Sequence, residues 1–410
     1  MPAGPSIVLL LGFLGAAITY LDRAAIAAAA PGMMTELGLT SLQMGYVFSV
    51  FQVAYGVMEI PMGWLGDRFG QRVVLTRIVA SWSLFTLLTG AVHGFGGLLS
   101  VRFLFGAAEA GAFPNLARAM GRWFPAPQRA RAQGVLWMGA RTGGALAPPL
   151  MVILMHAVGW RLSFSVLCIL GLVWCAAFWG IYRDTGPASA PALHRPPATP
   201  WALLLRSRNL WALCGMYFAI SYGFHFFLTW LPTYLLREHG LGLGASGFFS
   251  SIPLAAGAVG CATGGVVADW LVRRTGSVRW GRASVGIAAC LLGAFGFAAA
   301  ALARGPIAAV AALSFAQWAV DLSMSVSWAS SVDIGGPYGS TTAAFMNTAS
   351  CVSDALSPVS AIWLAGVFGS FRAMLLVAAC LYFAAALLWL VIDPSKPVVE
   401  EKVLLPCVSH

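Results

Sequence analysis

Charge is what this chain of 410 residues has least of. Asp, Glu, Lys and Arg make up 9% of it, against 59% hydrophobic residues, whereas a soluble globular protein carries roughly 25% charged residues. With a mean hydropathy of +0.81, an integral membrane protein surrounded by lipid is expected. The longest polar stretch, residues 183–208, is too short for a separate catalytic or signalling domain. Phosphate loops of the Walker type are lacking, so ATP hydrolysis is not expected to drive any process here. None of the 8 cysteines stands in a C-x-x-C pair, so they read as small buried hydrophobes and not as a disulfide or metal framework. An enzyme, a metal site and a bound cofactor are all unexpected. The first apolar run has no basic segment before it and is too long for the core of a cleavable signal, so it is expected to stay in the chain.

Long apolar runs are abundant. They predict helices over 7–30, 41–64, 73–93, 97–121, 131–155, 160–182, 209–236, 245–270, 282–303, 306–331, 341–367 and 371–392. The expected fold is an all-α membrane protein with twelve transmembrane helices in two pseudo-symmetric six-helix bundles. The N-terminal bundle takes residues 1–182, a linker 183–208, the C-terminal bundle 209–393 and a tail 394–410. Pro187, Pro191, Pro196, Pro197 and Pro200, mixed with Arg183, His194, Arg195, Arg206 and Arg208, suit a flexible polar linker. The formal net charge of +10 does not point to nucleic acid, because the cations sit in short loops between apolar spans. One side collects Arg68, Arg72, Arg122, Arg129, Arg208 and Arg274, among others; the other has Arg161, Arg237, Arg304 and Arg372. This bias places the linker and both termini in the cytoplasm, and the chain in a plasma membrane, the inner membrane of a bacterium.

Against that apolar background, the charged residues inside spans stand out. Ile7 to Ala30 is about 24 residues, enough to cross a bilayer, yet it contains Tyr20-Leu21-Asp22-Arg23. A charge at the centre of a span costs about 2.5–3.5 kcal/mol or more. Neighbours on a helix point about 100° apart, so Asp22 and Arg23 cannot satisfy each other. Arg102 and Glu109, in the fourth span, share a face about 10 Å apart along the axis. They could flank one ligand or reach Asp22 and Arg23 across a helix interface. A guanidinium suits an organic anion, and buried carboxyls suit a travelling proton; a static ion network that only fixes packing is the alternative. Arg141 in the fifth span either faces the same site or lies in packing. Tyr222 and His225, three apart in the seventh, either line the site or pack. Asp321 and Asp354 either form polar helix contacts or add a titrating site.

The two halves echo each other. Gly63-Trp64-Leu65-Gly66-Asp67-Arg68-Phe69-Gly70-Gln71-Arg72 follows the second span, and Gly265-Val266-Val267-Ala268-Asp269 with Arg273 and Arg274 follows the eighth. The first of these resembles the signature that the major facilitator superfamily carries between its second and third helices, and the resemblance covers the whole chain. It implies that Gly63, Asp67, Arg68, Gly70 and Arg72, with Asp269 and Arg273 in the second half, latch one conformation, Asp67 meeting a neighbouring helix N-terminus and an Arg. Duplicated halves imply a binding site near the midplane, between them. Tyr20-Leu21-Asp22-Arg23 with Arg102 and Glu109 resembles the anion:cation symporters within that superfamily, which include proton-coupled carriers of sugar acids. This implies that Arg23 binds a substrate carboxylate, that Asp22 and Glu109 carry protons with Arg102 coupled to Glu109, and that Tyr55, Trp328, Ser327 and Asn347 belong to the pocket. Arg141 departs from that family's pattern and favours a more acidic substrate if it faces the site. The implied function is import of a small organic anion by proton symport, with protons as coupling ion and a monomer as the working unit. The alternative is a facilitator or an efflux antiporter without inward protons, for which Gly139, Gly143, Gly144 and Pro148 offer a partial echo.

Overall fold

Residues 4–187 and 199–398 are described by a computed structural model. Among them regular structure is helical throughout: α1 Pro5–Leu37, α2 Ser41–Phe69, α3 Gln71–Gly90, α4 Phe95–Glu109, α5 Ala112–Trp123, α6 Ala126–Ile181, α7 Trp201–Arg206, α8 Arg208–Thr229, α9 Leu231–His239, α10 Leu243–Thr275, α11 Val278–Leu302, α12 Pro306–Gly335, α13 Gly339–Phe368 and α14 Arg372–Val391. A single 3-10 turn, Gly336–Tyr338, joins α12 to α13. The all-α expectation holds. Residues 188–198 and 399–410, which contain His194, Arg195, Lys402 and Cys407, lie outside the described residues.

Prolines and glycines correct several expected limits. The span expected over 97–121 is two helices, because Pro114 cannot donate to the carbonyl of Ala110, four residues back, and crowds it. Ala110 leaves the helix and Gly111 turns with φ 76° before α5 starts. Pro232 likewise divides 209–236 into α8 and α9 at Trp230. The spans expected over 131–155 and 160–182 are continuous in α6 except at Gly159, whose φ of 76° and ψ of 164° bend the helix. In the linker, Trp201–Arg206 is helical and not flexible coil; Trp211 donates to the carbonyl of Leu205 at 2.7 Å and fastens that turn to α8.

The helices group into two compact units. Unit 1 comprises Met1–Pro125 and Leu136–Pro197, and unit 2 comprises Ala126–Val135 and Ala198–His410. In unit 1, α4 packs on α2 and α3, while α5 packs on α1 and α3. In unit 2, α12 lies against α10 and α11, and α8 lies between α13 and α14. The first ten residues of α6 belong to unit 2. There Asp269 accepts from the backbone N–H of Arg131 at 2.8 Å and of Ala130 at 3.2 Å, and Asp333 pairs with both Arg129 and Arg282. The last turns of α12 thus receive two cations from elsewhere in the chain.

Close approach of α1 to α6 sets the position of Asp22 and Arg23. A Cβ on Gly143 would collide with the carbonyl oxygen of Ala17, and one on Gly139 with that of Phe13; at Gly144 it would meet only ordinary contact with the Tyr20 ring. Of the glycines singled out in the fifth span, Gly139 and Gly143 therefore have a packing role. Gly143→Ala is expected to push α1 away, at a cost of about 1–3 kcal/mol, and to lower both the thermal midpoint in detergent and anion binding. Gly144→Ala should change neither appreciably.

Candidate functional site

Four of the charged residues inside spans, Asp22, Arg23, Arg102 and Glu109, lie together in unit 1. Arg23 of α1 forms an ion pair with Glu109, the last residue of α4, through its Nε. The guanidinium is caged by aromatic rings: its centre is 4.5 Å from the Tyr55 ring centroid, 5.3 Å from Tyr20, 5.4 Å from Phe51 and 5.9 Å from Phe113. Ring faces attract a cation without competing for its N–H donors. Tyr20 is itself held edge-on by Phe113 at 5.7 Å and by Trp137 at 6.3 Å. Arg102, two turns before Glu109, lies over Phe51 at 4.9 Å and Phe105 at 4.6 Å. Glu109 is wholly buried, Asp22 is 3% exposed and Arg102 4%, whereas the Arg23 side chain keeps 20% of its surface.

Hydrogen bonding in this cluster is incomplete. Among the described residues, both oxygens of Asp22, Oε2 of Glu109, one terminal nitrogen of Arg23 and Nε of Arg102 are buried without a hydrogen-bond partner. Native interiors rarely leave such groups unmet, and sites that bind and release something are where exceptions occur. Four charged groups on two helices, with spare donors and acceptors, can exchange an anion at Arg23 and protons at the carboxyls.

Glu59 was not singled out in the sequence, and it belongs to this cluster. It is wholly buried on α2. One oxygen accepts from the Tyr55 hydroxyl at 3.3 Å, and the other from the Gly111 N–H at 2.8 Å. Glu59 therefore holds both the ring beneath Arg23 and the chain break directly after Glu109. The signal available in the sequence was an acid inside an apolar span, spaced one helical turn from Tyr55. Glu59→Gln leaves only one acceptor for two donors, a loss of about 1–3 kcal/mol. The expected result is a lower thermal midpoint and anion binding weakened several-fold, and Glu59→Ala should be worse on both measures.

The other expected site residues fall in three groups. Arg141 is half-buried on α6, one turn beyond Trp137. In unit 2, Trp328 is wholly buried and donates to the Tyr217 hydroxyl at 2.9 Å, which in turn contacts Met324. Ser327 donates to the Ser323 carbonyl at 2.7 Å, and Asn347 is buried, accepting from Ser350 at 3.4 Å. Tyr222 meets Ser360 at 2.5 Å, and Nδ1 of His225 lies 2.8 Å from Asp354. Around the Gly63–Arg72 signature, Asp67 is buried and Arg68 lies over Trp64 at 5.5 Å. Arg72 stacks on Trp179 at 4.2 Å and donates to its carbonyl, while Arg273 is exposed. Gly70 has a φ of 86° and is followed by Gln71, whose N–H is accepted by Asp184 at 2.8 Å. Asp184 thus caps α3, a role no local pattern announced.

Comparison with known proteins decides the family. Residues 12–358 match the Major Facilitator Superfamily. The chain belongs to that superfamily. Its members are transporters and not enzymes. The chain is 34% identical over 396 residues to the "Probable sulfoacetate transporter SauU" of Cupriavidus necator, covering 92% of this chain and 91% of that one. It is 28% identical to the "Probable L-galactonate transporter" of Escherichia coli strain K12, covering 95% and 90%. Among solved structures, the proton:xylose symporter XylE superposes with a TM-score of 0.77 at 15% identity, covering 97% of this chain and 98% of that one. At that identity the likeness concerns the fold alone: twelve spanning helices in two halves.

Proposed function

We propose that this chain imports a small organic acid together with protons, by alternating access, and that the Arg23–Glu109 ion pair is where the two are exchanged. The observation that carries this reading is a single guanidinium in an aromatic cage, paired with a buried carboxylate whose second oxygen is unmet among the described residues. An incoming carboxylate and ionised Glu109 compete for the same donors. A proton on Glu109 removes the competitor and leaves Arg23 to the substrate. When the substrate departs, Arg23 again favours ionised Glu109, and the proton leaves. Charge at the site stays balanced throughout, which a low-dielectric interior demands. Asp22, buried on α1 next to Arg23, provides a second carboxyl for the same traffic.

The cations support a substrate class. Arg23 holds one carboxylate; Arg102 and Arg141 stand in the same unit, and the sulfoacetate transporter is among the most similar relatives. A short acid bearing a second anionic group therefore fits better than a long polyhydroxy acid. The opposing reading, an uncoupled facilitator, has no use for buried carboxyls. The test is uptake of labelled acids, from two-carbon dianions to six-carbon sugar acids, into liposomes with an imposed inward pH gradient. Accumulation above equilibrium that a protonophore abolishes supports the proposal. Equilibration alone, unaffected by the gradient, would overturn it.

A further inference from the structure

Unit 2 carries a pair of titratable side chains that the exchange at Arg23 does not use. His225 on α8 and Asp354 on α13 face each other, with Nδ1 and Oδ1 2.8 Å apart. We propose that this pair is a second proton-binding site, which takes up and releases one proton per transport cycle in addition to the carboxyls of unit 1. It rests on the proton-coupled reading above, and its test is arranged so that the two can fail separately.

Three observations support it. First, the side chains are 16% and 15% exposed, and both stand in helical stretches long and apolar enough to cross a membrane. An ionisable pair at membrane depth is a functional candidate before it is a packing device. Second, α8 and α13 are already joined without it. Ser353 donates to the Phe218 carbonyl at 2.9 Å, Ser357 donates to the Tyr222 carbonyl at 2.8 Å, and the Tyr222 hydroxyl meets Ser360. A buried ion pair added to such rungs contributes little net stability. Third, the ring is oriented. Nδ1 lies 2.8 Å from Oδ1 of Asp354 and 3.3 Å from the Ser221 carbonyl, so positive charge on the ring sits directly beside the carboxyl group. A proton bound by the pair makes an imidazolium neutralised by the Asp354 carboxylate, and its release returns the neutral ring beside the same carboxylate.

Neighbouring elements bring their own titratable groups, each with a defined contact. On α14, Tyr382 donates to the Ile220 carbonyl at 3.0 Å. On α12, Asp321 accepts from Gln317 at 2.8 Å. On α10, Asp269 meets Ala130 and Arg131, and on α9, His239 meets Tyr234 at 3.0 Å while Glu238 accepts from the Phe371 N–H. On α8 itself, the Phe224 ring stands edge-on to the imidazole at 5.9 Å.

The experiment is the zero-flux substrate ratio across liposomes held at zero membrane potential, with a pH difference of about one unit. Each coupled proton multiplies that ratio by about tenfold, since a factor of ten in an equilibrium is a fixed free energy. Asp354→Asn and His225→Gln are both expected to lower the ratio about tenfold relative to the unaltered chain. Variants that keep the unaltered ratio would overturn the proposal. If the unaltered chain shows no dependence on the pH difference, the proton-coupled reading itself fails. Should both variants be inactive, the unaltered chain still decides: among its six histidines, labelled with nitrogen-15, one imidazole should shift its titration midpoint on adding the transported acid. A spectrum in which none shifts counts equally against the pair.

Discussion

Arg23→Lys is expected to weaken anion binding by about ten- to hundredfold, and Arg23→Ala to abolish it. The guanidinium offers a planar fork that a carboxylate can engage with two hydrogen bonds, and its centre is fixed by four aromatic rings, nearest Tyr55 at 4.5 Å. A lysine ammonium keeps the charge but is a compact point on a flexible stem, more strongly hydrated and without the fork. Losing one charge-assisted hydrogen bond costs about 1.5–3 kcal/mol, which is the affinity range stated. Arg23→Ala also leaves Glu109 without its ion partner in the interior, a loss of about 3–5 kcal/mol in stability. The double variant Arg23→Ala with Glu109→Gln removes that secondary cost. It should restore the thermal midpoint but not binding, measured calorimetrically with the best substrate. A lysine variant that binds as tightly as the unaltered chain would place the anion elsewhere.

Glu109→Gln is expected to separate substrate movement from proton movement. The amide is neutral at all relevant pH and cannot carry a proton, so with a pH difference of about one unit the accumulation should fall by about tenfold, the share of the one proton lost. Exchange of internal for external substrate needs no net proton and should continue. The direction of the pH effect distinguishes this from general damage. In the unaltered chain ionised Glu109 competes for Arg23, so substrate affinity should decline as pH rises. In Glu109→Gln the competitor is gone, and affinity should decline less steeply with pH and be at least as high as in the unaltered chain. Loss of exchange together with gradient-driven uptake would mean that the carboxyl is needed for structure.

Much of this was legible in the sequence, because charges are rare in it. Asp22, Arg23, Arg102 and Glu109 stood out against apolar neighbours, and because sequence neighbours cannot pair on a helix, a cross-helix meeting was one of the arrangements left open, without saying which acid Arg23 would meet. The breaks at Ala110–Gly111 and at Trp230 were not anticipated, although Pro114 and Pro232 stand at the positions that cause them. Each lies inside a run whose hydropathy reads as one continuous span. Glu59 escaped notice because its meaning depends on contacts with Tyr55 and Gly111, the latter 52 positions away. Asp354 lacked a cation nearby in sequence, and its partner His225 comes from a helix far back in the chain. Asp333, near the end of α12, likewise receives Arg129 and Arg282 from distant parts of the chain. Periodicity and rarity reveal which residues are unusual, but partners separated by whole helices emerge only once the chain is packed.

The most direct test of exchange at Arg23 is proton uptake on substrate binding. Purified protein in detergent and weak buffer, with a pH indicator, would be mixed with the transported acid near pH 7. If Glu109 surrenders Arg23 to the substrate and takes a proton as it does so, the medium should become more alkaline in proportion to the acid bound, and Glu109→Gln should reduce that signal. Substrate bound at full stoichiometry with no proton taken from the medium would contradict the mechanism at its centre.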